Sequence, residues 1–133
     1  MEEKLRKLLE NSYSPIYNYY VAAIIECNDG KLFYGVNVET SSPASGICAE
    51  RNALYSAITE GYKPNDFKHI YIMNKTDDYC FPCFICRQAL VDFCKNTKIT
   101  TYNYNGDKSK TITVKDLCPY PFESGDIKWK ADL

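Results

Sequence analysis

Cysteine placement constrains the fold of this chain more than any other feature of its sequence. The 133 residues include seven cysteines, of which Cys80, Cys83 and Cys86 lie together and Cys48 lies upstream. Seven is an odd number, and the charged N-terminal segment MEEKLRKLLENS lacks the apolar stretch of a secretion signal. We therefore expect free or metal-bound thiols in a cytoplasmic protein rather than a disulfide framework.

Length and charge narrow the range of partners. A chain of 133 residues suits a single domain, residues 1–133, because domains usually contain about 100–150 residues. Lysine and arginine number 16 against 17 aspartates and glutamates, so the basic surplus typical of nucleic-acid binding is missing. The longest apolar run, Val21 to Ile25, is far shorter than the ~20 residues that span a bilayer. We expect a small-molecule ligand, with neither nucleic acid nor a membrane as partner.

Hydrophobic periodicity predicts helices that alternate with strands. Helices are expected at residues 2–11, at residues 48–60 and from about residue 83 onward. Strands are expected at residues 19–26, 32–38, 69–73, 99–104 and 110–114, with a turn at Asn105-Gly106 between the last two. This order favours a three-layer α/β/α sandwich, and the final hairpin makes its five-stranded sheet mixed.

Three of the cysteines lie where helices are expected to begin. Cys48 opens one predicted helix, and Cys83 and Cys86 lie at the start of the next. Free backbone N–H groups and the helix dipole stabilise thiolates at such positions. Three thiolates would leave the fourth position of a zinc ion open for water, as in catalytic zinc sites. Glu50, two residues after Cys48, could take a proton from that water.

Different interpretations of the same residues stay open at this point. Cys80 could act as a fourth ligand, which would close a structural zinc site and prevent hydrolysis. The spacing Cys80-x-x-Cys83-x-x-Cys86 also occurs in iron–sulfur proteins, with Cys48 as a conceivable fourth ligand. Glu50 could be an ordinary first-turn glutamate, because the helix dipole favours acids there.

Four motifs follow one another along the chain. In order they are Gly35-Val36-Asn37-Val38-Glu39, Cys48-Ala49-Glu50-Arg51, Pro82-Cys83-Phe84-Ile85-Cys86-Arg87-Gln88 and Leu117-Cys118-Pro119-Tyr120-Pro121-Phe122. Together they resemble the small zinc-dependent cytidine deaminases over most of the chain. The resemblance implies a cytidine deaminase-like fold and hydrolysis of cytidine and deoxycytidine to the uridine forms, with release of ammonia, in pyrimidine salvage. It also implies one zinc per subunit and a homotetramer with shared active sites.

The resemblance assigns the chemical step to the two cysteine motifs. Cys48, Cys83 and Cys86 would bind zinc. Glu50 would carry a proton from the water to N3 of the pyrimidine and then to the leaving amino group. Arg51, which follows Glu50, would offset the negative charge of the thiolates.

The resemblance assigns substrate binding to residues outside the zinc ligands. Asn37 and Glu39 would hold the ribose hydroxyls, and the backbone N–H of Ala49 would bind the pyrimidine carbonyl. Phe122 would pack on the base bound to a neighbouring subunit. Tyr19 stands where the family usually has a phenylalanine that lines the pocket, and its added hydroxyl requires a hydrogen-bond partner.

Further departures from the family pattern concern the pocket rather than the chemistry. They are Tyr17, Ala22, Thr40, Pro43 and Phe84, each of which replaces a residue usual in the family. A modified cytosine nucleoside, such as blasticidin S, is therefore an alternative substrate, although Asn37 favours cytidine. The chain could also be a non-catalytic zinc or iron–sulfur module that uses Cys80, or a nucleic-acid-editing deaminase, although the missing basic surplus disfavours nucleic-acid editing.

Overall fold

The computed structural model describes residues 1–123 and Gly125. The predicted domain extends to residue 133, and its remaining residues, Ser124 and 126–133, lie outside the described residues. Within them, the α-helices are α1 Glu2–Leu9, α2 Ala49–Thr59, α3 Phe84–Cys94 and α4 Val114–Leu117. The strands are β1 Val21–Cys27, β2 Leu32–Val36, β3 Phe67–Asn74, β4 Lys98–Tyr102 and β5 Ser109–Thr113. None of the described helices combines the length and the apolar composition needed to cross a bilayer.

The strands form one mixed sheet, as the sequence predicts. Its five strands lie in the order β2-β1-β3-β4-β5. The pair β3–β4 is parallel, whereas β1–β2, β1–β3 and β4–β5 are antiparallel. The parallel pair is joined through α3, so the C-terminal end of β3 leads towards the start of that helix.

The last hairpin differs in detail from the prediction. The predicted strand 99–104 ends at Tyr102, because the side-chain oxygen of Asn103 accepts hydrogen bonds from the backbone N–H groups of Gly106 and Lys108. The final strand ends at Thr113 and the short helix α4 follows at once, which the sequence analysis does not predict. Thr113 and Asp116 form a capping box that begins this helix.

Helices cover both faces of the sheet and confirm the predicted three layers. On one face, Leu5 and Leu9 of α1 form a buried cluster with Ala22, Ile24 and Met73. On the other face, α2 and α3 share a larger core with strand residues that include Ala23, Ile25, Ile70, Ile72 and Ile99. Residues 22–25 of β1 are fully buried because alternate side chains face opposite helical layers.

Gly35 brings β2 into close contact with the first turns of α2. A Cβ atom at this position would lie 2.3 Å from the carbonyl oxygen of Ala49 and 2.5 Å from the amide nitrogen of Ala53. Real Cβ atoms do not approach backbone atoms so closely, so only glycine fits here. This contact fixes where Cys48, the residue that precedes α2, lies relative to the sheet.

Candidate active site

Three cysteine sulfurs converge where α2 and α3 begin. Cys48 is the N-cap residue of α2, Cys83 is the N-cap residue of α3, and Cys86 lies in the first turn of α3. Their sulfur atoms all lie within 4.8 Å of one another, and the Cys48 and Cys83 sulfurs are 3.7 Å apart. Among residues 1–123 and Gly125, this is the one group of three or more potential ligands that could hold a metal ion.

The cluster fits zinc in both its chemistry and its dimensions. Thiolates are preferred zinc ligands, and Zn–S bonds of ~2.3 Å in a tetrahedron place the sulfurs about 3.8 Å apart. The separation of Cys48 and Cys83, at 3.7 Å, matches this value without any rearrangement. Three protein sulfurs leave one position of a tetrahedral ion for a water molecule or a substrate.

Arg51 supplies positive charge to the cluster. Its Nη2 donates to the sulfur of Cys48 at 3.7 Å, and its Nε is buried without a partner. Hydrogen bonds with Cys86 and Arg51 lower the pKa of Cys48 to about 5, although burial opposes the shift. Hydrogen bonding to Cys48 and burial raise the pKa of Cys86.

Cys80 does not belong to this cluster, although it lies three residues before Cys83 in sequence. Its sulfur accepts a hydrogen bond from Nδ2 of Asn74 at 3.6 Å. The Tyr19 hydroxyl also pairs with Cys80, and burial together with this hydrogen bond raises the pKa of Tyr19. Cys80 lies outside the group of sulfurs that could hold a metal ion, so its position gives no support to a fourth sulfur ligand.

Glu50 lies beside the sulfur cluster, in the first turn of α2. Its side chain is buried, with 5% of the residue exposed. Burial and the nearby Cys48 raise the pKa of Glu50 to about 7. Glu50, Cys48 and Cys83 line the same cavity of about 190 Å³, so a ligand in that cavity meets both the carboxyl group and the sulfurs. Tyr19 and Ala49 also line it.

Asn37 lies just after β2, between this cavity and a neighbouring one. Its Oδ1 accepts hydrogen bonds from the Ser12 hydroxyl and, at 2.9 Å, from the backbone N–H of Val21. Its Nδ2 donates to the carbonyl oxygen of Tyr19 at 2.7 Å. The neighbouring cavity, of about 330 Å³, is also lined by both Asn37 and Cys48, so the two cavities adjoin.

Glu39 lines the second cavity and fixes the segment before β1. Its Oε2 accepts a hydrogen bond from the Ser14 hydroxyl at 2.5 Å, and its Oε1 accepts from the backbone N–H groups of Ile16 and Tyr17 at 2.8 and 3.2 Å. Burial acts to raise the pKa of Glu39, but these hydrogen bonds outweigh it and the pKa is lowered. Glu39 is thus held as a carboxylate.

The C-terminal segment is attached to α3 by two residues for which the sequence analysis gives no role. Arg87 donates from Nε to the carbonyl oxygen of Pro82 at 2.7 Å and from Nη1 to that of Leu117 at 2.8 Å. Gln88 donates from Nε2 to the carbonyl oxygen of Phe122 at 2.8 Å. The Phe122 ring is 57% exposed and lines neither cavity of its own chain. The Arg-Gln pair directly after the second cysteine of the motif is the sequence signal for this attachment.

Comparison with known proteins agrees with this geometry. Residues 1–102 match the family model described as the cytidine and deoxycytidylate deaminase zinc-binding region. The chain belongs to the cytidine deaminase family. It is 33% identical to the cytidine deaminase of Sporosarcina psychrophila over 129 residues, which is 96% of this chain and 92% of that protein.

Two further similar proteins are a solved structure and a deaminase with another named substrate. The crystal structure of cytidine deaminase from Burkholderia pseudomallei is 36% identical, with a TM-score of 0.85 over 90% of this chain and 94% of that one. This confirms the predicted cytidine deaminase-like fold. The blasticidin-S deaminase of Bacillus cereus is more distant, at 26% identity over 90% of this chain and 85% of that protein.

Proposed function

We propose that this protein is a zinc-dependent enzyme that hydrolyses cytidine and deoxycytidine to uridine and deoxyuridine, with release of ammonia. The observation that carries the proposal is one buried carboxyl group, Glu50, in the same cavity as Cys48 and Cys83, which converge with Cys86 in one cluster of sulfurs. Membership of the cytidine deaminase family supports the same reaction.

Each residue of the cluster has a separate task in this reaction. Cys48, Cys83 and Cys86 would hold the zinc ion, which when bound makes water a stronger nucleophile at neutral pH. Glu50 takes a proton from the attacking water and delivers it to N3 of the pyrimidine while the oxygen bonds to C4. Glu50 then transfers the second proton to the amino group, the C4–N bond breaks and ammonia leaves. Arg51 balances the charge of the thiolates.

Unused hydrogen-bonding groups support the proposed contacts with the nucleoside. The Asn37 amide has a second hydrogen, and Oε2 of Glu39 can accept another bond. Such a donor and acceptor suit ribose hydroxyls. The N–H of Ala49, at the first position of α2, has no acceptor within the helix and can bind the pyrimidine carbonyl. Tyr19 lines the cavity that would receive the base.

We also propose that the protein is a homotetramer with shared active sites, in which Phe122 reaches the base bound to a neighbouring subunit. Large exposed side chains support an interface. Ile16, Tyr17 and Ile85 line the second cavity, and Phe84, Tyr120 and Phe122 are also exposed. A single domain over residues 1–133, a cytoplasmic location and a part in pyrimidine salvage complete the proposal. Light scattering coupled to gel filtration tests the tetramer, and a monomeric active enzyme would contradict it.

The reaction is tested with a panel of nucleosides. Zinc-loaded protein is given cytidine, deoxycytidine, blasticidin S or a single-stranded oligonucleotide, and ammonia release and the loss of cytosine absorbance are measured. We expect turnover of cytidine and deoxycytidine. Turnover of blasticidin S alone would support a modified nucleoside as substrate. Activity on single-stranded oligonucleotides alone would support nucleic-acid editing. No turnover of any of these substrates would contradict the proposal.

The proton transfer is tested by Glu50→Gln. This variant keeps the shape of the side chain but cannot accept a proton, so kcat should fall by about 10²–10⁴-fold while zinc content stays unchanged. The matched control is Glu60→Gln, because Glu60 lies at the far end of the same helix, about half exposed and paired with Lys31. Full activity of Glu50→Gln with zinc bound would refute the assignment.

A further inference from the structure

Asn74 is a buried polar residue for which neither the motifs nor the proposed mechanism has a use. It is the last residue of β3 and is 0% exposed. Its side chain points to the same face of the sheet as that of Ile72, two residues earlier, which belongs to the core shared with α2 and α3. Asn74 lines the cavity that contains Glu50.

The nitrogen of the Asn74 amide is fully engaged. Nδ2 shares its two hydrogens among three acceptors: the carbonyl oxygen of Asp78 at 3.0 Å, the Thr76 hydroxyl and the sulfur of Cys80 at 3.6 Å. A carbonyl oxygen can only accept, so the amide group that faces Asp78 must be the nitrogen. The segment between β3 and Cys83 therefore fixes which way the amide is turned.

The oxygen of the same amide has no partner. Asn74 Oδ1 and Arg51 Nε are the two buried side-chain nitrogen or oxygen atoms in the described part of the chain that make no hydrogen bond. A buried acceptor without a donor costs stability, so the missing donor needs a source such as a bound water or a ligand. Because Asn74 lines the cavity, a ligand held there is a source of the missing donor.

The position of Asn74 indicates which part of a nucleoside this acceptor meets. Asn74 lines the cavity of Glu50, Cys48 and Cys83, whereas Glu39 lines the adjoining cavity. Glu50 acts on the base in the proposed mechanism, so the inference places the base in the cavity that Asn74 and Glu50 share. A cytosine linked to ribose through N1 carries N–H donors only on its 4-amino group. The uracil of the product carries a carbonyl oxygen at that carbon instead.

We propose that Oδ1 of Asn74 accepts a hydrogen bond from the 4-amino group of the base and thereby favours the substrate over the product. When the amino group is replaced by a carbonyl, two acceptors face each other, which weakens product binding and speeds its release. Asn74 is then a specificity residue and transfers no proton. The inference rests on the proposed function, because it assumes a cytosine nucleoside in this cavity.

The test compares how strongly the enzyme binds substrate and product. KM for cytidine and the inhibition constant for uridine are measured on zinc-loaded wild-type enzyme and on Asn74→Leu, which removes the acceptor at similar volume. We expect the ratio of the uridine inhibition constant to the cytidine KM to fall about tenfold, because one hydrogen bond is lost and one repulsion is relieved. Damage to the fold alone would weaken both ligands and leave the ratio unchanged.

Two further variants keep the test decisive. Asn74→Ser provides the same test if the leucine variant does not fold. Serine is smaller, and its hydroxyl can donate to uridine or accept from cytidine, so the ratio of the uridine inhibition constant to the cytidine KM should fall in this variant too. Thr76→Val removes a partner of Nδ2 but leaves Oδ1 in place, and its ratio should match that of the wild type. An unchanged ratio in both folded Asn74 variants would overturn the inference. A wild-type enzyme without cytidine turnover would instead overturn the proposed function, and the inference with it.

Discussion

Replacing Gly35 by alanine should damage the metal site from a distance. The added Cβ would lie 2.3 Å from the carbonyl oxygen of Ala49 and 2.5 Å from the amide nitrogen of Ala53. Both atoms belong to the backbone of α2, so no side-chain rotation can relieve the overlap. Helix and strand must move apart, and Cys48 and Glu50 move with the helix.

The magnitude follows from the two contacts. Overpacking a core usually costs about 1–3 kcal/mol, and displacement of backbone puts this substitution at about 3 kcal/mol. For a chain of this length, a loss of about 3 kcal/mol lowers Tm by about 10 °C. The displacement of Cys48 should also weaken zinc binding, so the variant should release zinc faster to a chelator and have a lower kcat/KM for cytidine.

The matched control for Gly35→Ala is Gly61→Ala, at the far end of the same helix. Gly61 has a φ of +98° and a Cβ there would meet nothing within 4 Å, so the cost is backbone strain of about 1–2 kcal/mol without a clash. Thermal melts of the apo and zinc forms, a chelator challenge and steady-state kinetics are run on both variants. A Gly35→Ala protein that melts with the wild type and keeps its zinc would refute the reasoning.

Two further predictions concern pairs of residues. The Tyr62 hydroxyl donates a hydrogen bond to Asp29 at 2.6 Å, which lowers the pKa of Asp29 and raises that of Tyr62 to about 12. The folded state loses the stability that this bond contributes as pH falls through the lowered pKa of Asp29. It also loses that stability as pH rises through about 12. In Tyr62→Phe, the free energy of unfolding should depend less on pH at both the acidic and the alkaline end, as measured by denaturant titrations at a series of pH values. An unchanged pH dependence would contradict this prediction. The Cys80→Ser variant should retain zinc, whereas the Cys83→Ser variant should lose it, as measured by metal analysis after dialysis. Equal loss of zinc from both variants would indicate that Cys80 is also a zinc ligand.

Local patterns in the sequence are sufficient for most of the fold and for the cysteine motifs. The amphipathic period of α2 and the alternation in β3 depend on near neighbours, so these elements are predicted within a few residues of their observed bounds. The short helix α4 is not predicted because the alternating residues 110–114 suggest a strand that includes Val114, whereas the capping box of Thr113 and Asp116 begins a helix at that residue. That signal competes with strand propensity and is weak in the sequence alone.

The sequence by itself determined that Cys83 and Cys86 share one helical turn and that Glu50 follows Cys48 at a helix start, because these relations span only a few residues. The tertiary structure decided that Cys48 joins them and that Cys80 instead accepts a hydrogen bond from Asn74. Cys48 and Cys83 are separated by 35 residues, and packing of α2 and α3 against one sheet brings them together. The sequence also does not predict that the side-chain oxygen of Asn74 lacks a hydrogen-bond partner. A single asparagine forms no recognisable motif, and the partners of its amide depend on which residues the fold brings next to it.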